Sequence, residues 1–214
     1  MQEIGADFYT SNLHKWFFCP PSVAFLYARA SSKARDLHHP VVSHEYGKGL
    51  AVESSWTGNR DYSAQLVVPA VMEFVKRFEG GIEGIRKRNH DLVVEMGEML
   101  VEAWGTHLGS PSHMSASMVM VGLPPSLGIG SDSDAQKLRT RLRDEFDVEV
   151  PIYFRGGEDG SVTAYARISR QVYNKVEDYY KFRNAVNQLV QDGFTCALLS
   201  AWNWGSLCSA LSFN

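Results

Sequence analysis

The sequence predicts an α/β fold, and two observations lead to that prediction. Helical periodicity and short β-rich runs alternate over residues 82–191, in the order helix, strand, helix, strand, strand, helix. This order is typical of a small α/β sandwich. The chain of 214 residues is 44% hydrophobic and 21% charged, which is the composition of an ordinary globular protein. Its length is sufficient for one large domain or two small ones.

The N-terminal part of the chain is predicted to place one lysine between two strands. Residues 4–11 alternate in polarity and are expected to lead, as a strand, into a loop that carries Lys15. Residues 22–29 are β-branched and aromatic, which predicts a buried strand. A helix is expected over residues 63–78, and Pro69 should kink or reset it because proline has no amide hydrogen to donate.

The remaining elements are predicted as amphipathic helices and short apolar strands. Gly105 is expected to end the first of these helices at its C-cap, and Asp132 or Ser133 to cap the start of the second. The spacing of apolar residues predicts helices over 82–104, 134–146 and 176–191, and strands over 117–123, 148–154 and 161–169.

Composition and charge exclude several classes of function. A net charge of -3 gives no basis for binding nucleic acid or an anionic membrane. The three cysteines, Cys19, Cys196 and Cys208, are odd in number and far apart, which fits a reducing compartment rather than a disulfide framework. No secretory or transit signal is recognised, so the predicted location is cytoplasmic. The seven histidines lack metal-ligand spacing, and no metal site is predicted.

Lys15 is the first candidate for chemistry. It follows His14 in a segment of aromatic and apolar residues. An ammonium group in apolar surroundings tends to have a lowered pKa, and a deprotonated lysine can form a Schiff base with a carbonyl compound. The alternative is a surface lysine whose stem packs along Trp16.

Two further places have residues suited to anionic groups. The turn-rich link that contains Gly58 and Asn59 offers backbone amides and a side-chain donor for a phosphate. Arg167 lies at the end of a predicted strand, where its guanidinium could bind a carboxylate with two hydrogen bonds. The alternative for Arg167 is a solvated ion pair.

Taken together, these motifs resemble the class V branch of the fold-type-I pyridoxal-phosphate (PLP) enzymes. The similarity is greatest to the isopenicillin N epimerase-like group, which includes the plant L-cysteine desulfhydrases. It runs from about Ile4 to Gln191. The motifs that carry it are residues 5–16 with the two prolines at 20–21, residues 56–63, and residues 167–169 with 172–174.

The resemblance implies a fold, a domain organisation and a cofactor. The fold would be the C-terminal part of a fold-type-I PLP-dependent transferase. Residues 1–80 would be the remnant of its large parallel-sheet domain, and residues 81–192 a small C-terminal α/β domain. Residues 193–214 form an uncharged tail that has no counterpart in this scheme and is expected to be poorly ordered. The implied cofactor is pyridoxal 5'-phosphate.

The resemblance also implies roles for individual residues. The lysine of the first motif binds the cofactor as a Schiff base, and the preceding histidine lies beside it. The link reaches the phosphate of the neighbouring subunit's cofactor, which implies a homodimer; here Asn59 stands where the family favours threonine. The expected catalytic residues are therefore Lys15 and His14. The expected cofactor-binding residues are these two together with Ser11, Gly58 and Asn59. Arg167 is expected to bind the substrate carboxylate.

The expected reaction acts on a small amino acid. By resemblance it is the α,β-elimination of L-cysteine to sulfide, pyruvate and ammonia. A class V aminotransferase or an amino-acid epimerase is the alternative, because both reactions begin with the same proton abstraction. The family's upstream phosphate-binding turn and pyridine-binding aspartate are not recognised in this sequence. The chain alone is therefore expected to be a truncated form that is inactive, or a non-catalytic fragment that pairs with a full-length subunit.

Overall fold

The computed structural model describes residues 3–29, 36–156 and 164–196. It divides the chain into two compact units, residues 1–81 and 82–214. Each unit has its own sheet, and in both sheets the described strands pair antiparallel.

The first unit begins with a two-stranded ribbon of β1 (Phe8–Asn12) and β2 (Ala24–Ala28). A short helix, α1 (Leu13–Trp16), follows β1 without a break. Lys15 therefore lies in a helical turn, and the expectation that it would lie in a loop is wrong. The expected burial of the second strand is also wrong, since three of the five residues of β2 are exposed and none is buried. No second layer of described residues covers this strand, so its apolar side chains remain accessible.

Three further short helices complete the first unit. These are α2 (Leu50–Glu53), α3 (Ser63–Leu66) and α4 (Val68–Val75). The predicted reset at Pro69 is confirmed, because α4 starts one residue before the proline, which then occupies the first turn, where an amide donor is not needed. Phe18 packs against Phe74 and Phe78, with ring centroids 5.6 and 6.0 Å apart. This aromatic cluster joins the chain after α1 to α4.

The second unit is an α/β sandwich. Its sheet has the order β3-β5-β4. The elements in chain order are α5 (Gly81–Trp104), β3 (Met118–Gly122), α6 (Asp132–Phe146), β4 (Ile152–Phe154), β5 (Ala164–Ser169) and α7 (Val176–Gln191). The predicted order of helices and strands is confirmed. Both β3 and β4 are shorter than expected, and the predicted start of β5 lies outside the described residues.

One face of this sheet forms the core. In β5, Ala164, Ala166 and Ile168 are buried, and they pack with buried apolar residues of the three helices. The alternating residues, among them Tyr165 and Arg167, lie on the opposite face, as the two-residue period of a strand requires. We refer to this opposite face, which carries Met118, Met120, Tyr153, Tyr165 and Arg167, as the open face.

Helix ends follow local backbone chemistry. The predicted caps Asp132 and Ser133 are wrong: Ser131 is the N-cap of α6, and its hydroxyl accepts a hydrogen bond from the Asp134 amide at 3.1 Å. Ser131 is extended, as an N-cap must be, whereas Asp132 already belongs to the helix. The predicted C-cap of α5 is confirmed, since Gly105 has a φ of +64°.

Two residues of the expected tail, Phe194 and Cys196, are buried in the core of the second unit. The rest of the expected tail, residues 197–214, lies outside the described residues, as do Gly157 and the start of the strand predicted at 161. Within the described ranges, no helix has both the length and the apolar character needed to span a membrane.

Gly109 allows the chain to pass close to β3, and replacing this glycine tests that close approach. Its amide donates to the Met120 carbonyl at 2.8 Å, and an added Cβ would lie 2.9 Å from the Met120 Cβ. We expect Gly109→Ala to lower the free energy of unfolding by about 1–3 kcal/mol, because one side chain or the backbone must move. Urea unfolding followed by circular dichroism measures the change.

Gly130→Ala is the matched control for Gly109→Ala. An added Cβ at Gly130 would meet no atom closer than Asp134 Oδ2 at 3.8 Å. Its effect should lie within about 0.5 kcal/mol of zero or be slightly stabilising. Equal destabilisation by the two substitutions would contradict the proposed close approach.

Candidate functional site

Lys15 presents an accessible amine. It lies in the single turn of α1, and its side chain is exposed. Among the described residues, its Nζ has no hydrogen-bond or ion-pair partner. The apolar surroundings expected from the sequence are not formed around it by the described part of the chain. The Lys15 amine is therefore accessible from solution.

One backbone carbonyl holds α1 in place. The carbonyl oxygen of Val23 accepts from the Leu13 amide at 2.9 Å and lies 3.1 Å from His14 Nδ1. Because a carbonyl can only accept, Nδ1 must carry the proton and Nε2 of the neutral ring is then unprotonated. Val23 is itself buried. The position of His14, and with it the start of the turn that carries Lys15, is thus tied to the second strand of the ribbon.

The turn after α1 has unusual backbone geometry. Phe18 and Ser22 have φ angles of +59° and +73°, a region that non-glycine residues seldom occupy. Such conformations persist only where the surroundings hold them, and they cluster at functional sites. The Phe18 ring is held by the aromatic cluster described above. Ser11, half-buried in β1, precedes the same helical turn, so Ser11, His14 and Lys15 share one segment because they are close in the sequence.

Gly58 and Asn59 lie elsewhere in the first unit, in the link between α2 and α3. Gly58 has a φ of +108° and no heavy atom within 4 Å of an added Cβ, so only its backbone conformation demands glycine. The Tyr62 hydroxyl donates to the Gly58 carbonyl at 3.2 Å. Asn59 is exposed. The link is therefore an open turn in which the Asn59 side chain has no hydrogen-bond partner among the residues that the structure describes.

Arg167 lies in the second unit, on the open face. Its guanidinium is centred 5.5 Å from the ring centroid of Tyr153, and the residue is half-buried. No described hydrogen bond or ion pair involves its side chain, whereas Arg86, Arg139 and Arg141 all contact carboxylates. The ion-pair alternative is therefore not realised among the described residues. A half-buried guanidinium without a carboxylate partner is suited to binding one from outside.

Buried polar residues brace the chain just after Arg167. Asn89 donates to Gln171 Oε1 at 3.3 Å, and the Gln171 amide donates to Asn174 Oδ1 at 2.9 Å. The Tyr179 hydroxyl donates to the Ser169 carbonyl at 2.7 Å, and burial raises the pKa of Tyr179 to about 12. Of this buried polar network, the sequence motifs included Ser169 and Asn174 but not Asn89, Gln171 or Tyr179. The partner on α5, Asn89, is separated from Gln171 by 82 positions, and no local pattern could have revealed it.

A buried carboxylate in the first unit was not predicted at all. Glu53 is 1% exposed. Its two oxygens accept from His38 Nδ1 at 2.8 Å, the His39 amide at 3.1 Å and the Gly47 amide at 2.9 Å. Burial alone raises the pKa of Glu53, but these hydrogen bonds and the nearby imidazole outweigh it, and the pKa falls below its ordinary value. Glu53 thereby anchors the chain over 38–47.

The described cysteines are poor nucleophiles. Cys19 and Cys196 are buried, at 6% and 0% exposed. Burial raises the pKa of both thiols, to about 11 for Cys196. Cys208 lies outside the described residues.

Comparison with known proteins shows what the chain is similar to. The chain matches no family model. It is 68% identical over 205 residues to an Arabidopsis thaliana protein named "Probable L-cysteine desulfhydrase, chloroplastic", a match that covers 94% of this chain and 43% of that protein. It is 58% identical over 211 residues to an Arabidopsis protein named "L-cysteine desulfhydrase", covering 94% and 46%. The structure is similar to a cysteine desulfurase from Thermococcus onnurineus, with a TM-score of 0.61, 18% identity, and coverage of 89% and 48%.

These similarities confirm the resemblance to plant L-cysteine desulfhydrases and the predicted fold class, the C-terminal part of a fold-type-I PLP-dependent enzyme. The chain spans less than half the length of the curated relatives it matches. The roles of the individual site residues and the boundaries of the two predicted domains stay predictions.

Replacing the buried carboxylate tests the anchor at Glu53. Glu53→Gln keeps the shape of the side chain but removes its charge, and its amide cannot accept all three hydrogen bonds. We expect the amides of His39 and Gly47 to exchange with deuterium about tenfold faster, since hydrogen bonds to a charged group are the stronger ones. Hydrogen exchange followed by mass spectrometry measures the change. Glu73→Gln, at an exposed surface pair with Lys76, is the control and should leave both amides unchanged.

Acid should reproduce the effect of Glu53→Gln. The pKa of Glu53 in the folded chain lies below the ordinary value of 4.5. Its contribution to stability is therefore fully present above a pH of about 4.5 and is lost as the pH falls through the lowered pKa. If the amides of His39 and Gly47 were equally protected at neutral pH and below the lowered pKa of Glu53, the proposed role of Glu53 as an anchor would be contradicted.

Proposed function

We propose that this chain is the C-terminal part of a PLP-dependent L-cysteine desulfhydrase. The observation that carries the proposal is 58–68% identity, over 94% of the chain, to two proteins named for that activity. The geometry supports it with an accessible amine at Lys15 and with the guanidinium of Arg167, which pairs with no carboxylate in the described part of the chain. The products would be sulfide, pyruvate and ammonia.

The residues present fit the cofactor that this function requires. An aldehyde cofactor needs a primary amine, and the Lys15 amine is exposed and unpaired among the described residues. A phosphate needs donors on an open turn, and the link at Gly58 and Asn59 supplies them. Lys15, His14, Ser11, Gly58 and Asn59 would hold the cofactor. When bound, pyridoxal 5'-phosphate supplies an electron sink for negative charge that develops at the substrate's Cα.

The chain's own residues would bind the substrate and transfer its proton. Arg167 would bind the substrate carboxylate with two parallel hydrogen bonds and so orient the Cα–H bond. Lys15 Nζ, once unprotonated, would take the Cα proton. His14 donates from Nδ1 to the Val23 carbonyl, which fixes the orientation of its ring beside Lys15. The electron pair of the Cα–H bond would then form the Cα=Cβ double bond as the Cβ–S bond breaks and sulfide departs. Water would hydrolyse the resulting 2-aminoacrylate to pyruvate and ammonia.

The cysteines favour release of free sulfide. Transfer of sulfur to the protein requires an accessible thiolate with a lowered pKa. Cys19 and Cys196 are instead buried, and burial raises the pKa of each thiol. Among the described residues, no thiol is therefore suited to accept sulfur. This supports elimination as the reaction rather than the persulfide-forming transfer of a desulfurase.

The proposal also covers the oligomeric state of the protein and its location in the cell. A homodimer would let the link at Gly58 and Asn59 reach a cofactor held by the partner subunit, and a small amino acid would be the substrate. The cysteine content supports a cytoplasmic location, while one relative is named chloroplastic.

Because the chain spans less than half the length of its relatives, its activity is best tested in a chimera. In this chimera, the N-terminal half of the 68% identical Arabidopsis protein is joined to residue 1.

Reductive trapping tests Lys15. In that chimera, incubation with pyridoxal 5'-phosphate and then borohydride should label the peptide that contains Lys15, because its amine is accessible and unpaired. Lys15→Ala should abolish this label. Peptide mass mapping locates the adduct. Lys76→Ala, at a surface ion pair, is the control and should keep it. A label that persists in Lys15→Ala at an unchanged level would refute the role of this lysine.

Steady-state kinetics test Arg167. In the same chimera, Arg167→Lys should raise the KM for L-cysteine about tenfold or more, since lysine cannot reproduce the bidentate contact. The effect on kcat should be smaller, because the interaction lies away from the breaking bond. Sulfide release measures both constants. Arg143→Lys, at a surface pair with Asp144, should change neither, and an equal effect of the two substitutions would count against the assignment.

A further inference from the structure

We infer that Tyr153 is a positioning residue for Arg167. Its ring holds the guanidinium from one side and leaves the N–H groups of Arg167 able to bind a carboxylate. The inference rests on the proposed carboxylate-binding role of Arg167. It deepens that role, because Tyr153 belongs to none of the sequence motifs and has no other part in the proposed function.

The neighbours of Arg167 on the adjacent strands are uncharged. Strand pairing places Met120 of β3 opposite Arg167. On the other side, the Arg167 amide donates to the carbonyl of Pro151 at 2.9 Å, one residue before β4 begins. The side chains of methionine and proline offer no strong hydrogen-bond acceptor. Neither neighbour can therefore fix the direction in which the guanidinium lies.

Tyr153 supplies the contact that these two neighbours lack. It lies in β4, two residues after Pro151, and the strand register makes it the diagonal neighbour of Arg167 on the open face. Diagonal neighbours in a sheet are within reach of long and aromatic side chains. The centre of the guanidinium is 5.5 Å from the Tyr153 ring centroid, within the distance of about 6 Å at which a ring attracts a cation. Both residues are half-buried, so the contact is partly shielded from water.

A ring holds an arginine in a different way from a carboxylate. A carboxylate accepts hydrogen bonds from the guanidinium, as happens at Arg86 and Arg139, and those donors are then occupied. The face of a ring attracts the positive charge and leaves the N–H groups at the edge of the guanidinium available. The side chain of Arg167 has no hydrogen-bond or ion-pair partner among the described residues. Its donors can therefore still bind both oxygens of a ligand carboxylate.

A guanidinium that is already held should bind a carboxylate more tightly than a mobile one. An arginine side chain loses rotamer freedom when it binds a ligand, and this loss weakens binding. Contact with Tyr153 removes part of that freedom when the chain folds. Arg167 also lines a cavity of about 300 Å³ together with Met118 and Met120, so a small carboxylate can approach it. Loss of the Tyr153 ring should therefore weaken carboxylate binding and leave the later proton transfer unchanged.

Arginine NMR of the 214-residue chain tests the contact without cofactor or activity. The chain is labelled with 15N-arginine, and Arg167→Lys assigns the Nε–H signal of Arg167 by its loss. Because an aromatic ring shifts the signals of nearby protons, Tyr153→Leu should move the Arg167 signal. Tyr153→Phe keeps a ring at this position and should move it much less. Tyr180→Leu is the matched control, since Tyr180 makes the same kind of contact with Arg183 at 4.8 Å, and it should leave the Arg167 signal in place.

Titration with propionate measures what the contact contributes to binding. Propionate has a carboxylate but neither an amine nor a thiol, and it should cause a saturable shift of the Arg167 signal. Tyr153→Leu should weaken its binding about two- to tenfold, whereas Tyr153→Phe and Tyr180→Leu should each change it by less than about twofold. Circular dichroism establishes that each variant is folded.

A second variant keeps the test decisive if Tyr153→Leu does not fold. Tyr153→Ile then replaces it, because a β-branched residue suits a strand better. If neither variant folds, the nuclear Overhauser effect between the Tyr153 ring protons and the Arg167 side chain decides alone. Its presence in the unsubstituted chain would support the contact, and its absence would overturn the inference.

Kinetics of the chimera distinguish positioning from general support of the fold. Tyr153→Leu should raise the KM for L-cysteine about two- to tenfold and change kcat by less than about twofold. Tyr153→Phe should restore the KM. In a chimera that already carries Arg167→Gln, Tyr153→Leu should have no further effect on the KM, because no cation remains for the ring to hold.

Four results would overturn the inference. They are an unmoved Arg167 signal in folded Tyr153→Leu, unchanged propionate affinity in that variant, equal effects of Tyr153→Leu on the KM with and without Arg167, and no propionate-induced shift in the unsubstituted chain. The test of Lys15 is independent, because it reads a covalent label in the first unit. Failure to trap the cofactor at Lys15, with propionate binding at Arg167 intact, would refute the proposed function and leave the role of Tyr153 standing.

Discussion

The register of β5 is the constraint on which the second unit depends. Its antiparallel pairing with β3 and β4 places Ala166 and Ile168 in the core and Arg167 between them on the open face. A slip of one residue would bury the guanidinium and expose the two apolar side chains. The hydrophobic effect that folds this unit therefore also places Arg167, the proposed carboxylate-binding residue, on the open face.

The first unit relies on single polar contacts rather than on a continuous core. The Val23 carbonyl holds α1, and Glu53 holds the chain over 38–47 through two backbone amides and one imidazole. Only a few of its apolar residues are buried, Val71 and Val75 among them. With little apolar burial, the loss of one such contact should loosen a segment locally. The candidate cofactor residues all lie in this unit.

Features that depend on neighbouring residues could be predicted from the sequence, whereas burial by distant residues could not. The spacing of Leu138 and Leu142 indicated a helix, and both side chains are fully buried. Gly105 and Pro69 marked a helix end and a helix start because their backbone restrictions are local. The strand predicted at 22–29 forms over Ala24–Ala28, but its predicted burial is wrong, since an aromatic, β-branched run indicates only the propensity for a strand. Whether a strand is buried depends on what packs over it, and that information is not local.

The sequence by itself determined the α/β class, the order of elements and the residue types available for chemistry, because backbone propensity and hydrophobic period act over a few neighbouring residues. Its motifs also pointed to Lys15, Gly58 and Arg167. Only the tertiary structure decided that Arg167 lacks a carboxylate partner among the described residues and that Glu53 is buried. Those facts come from contacts between residues distant in the chain, which are set by strand register and packing.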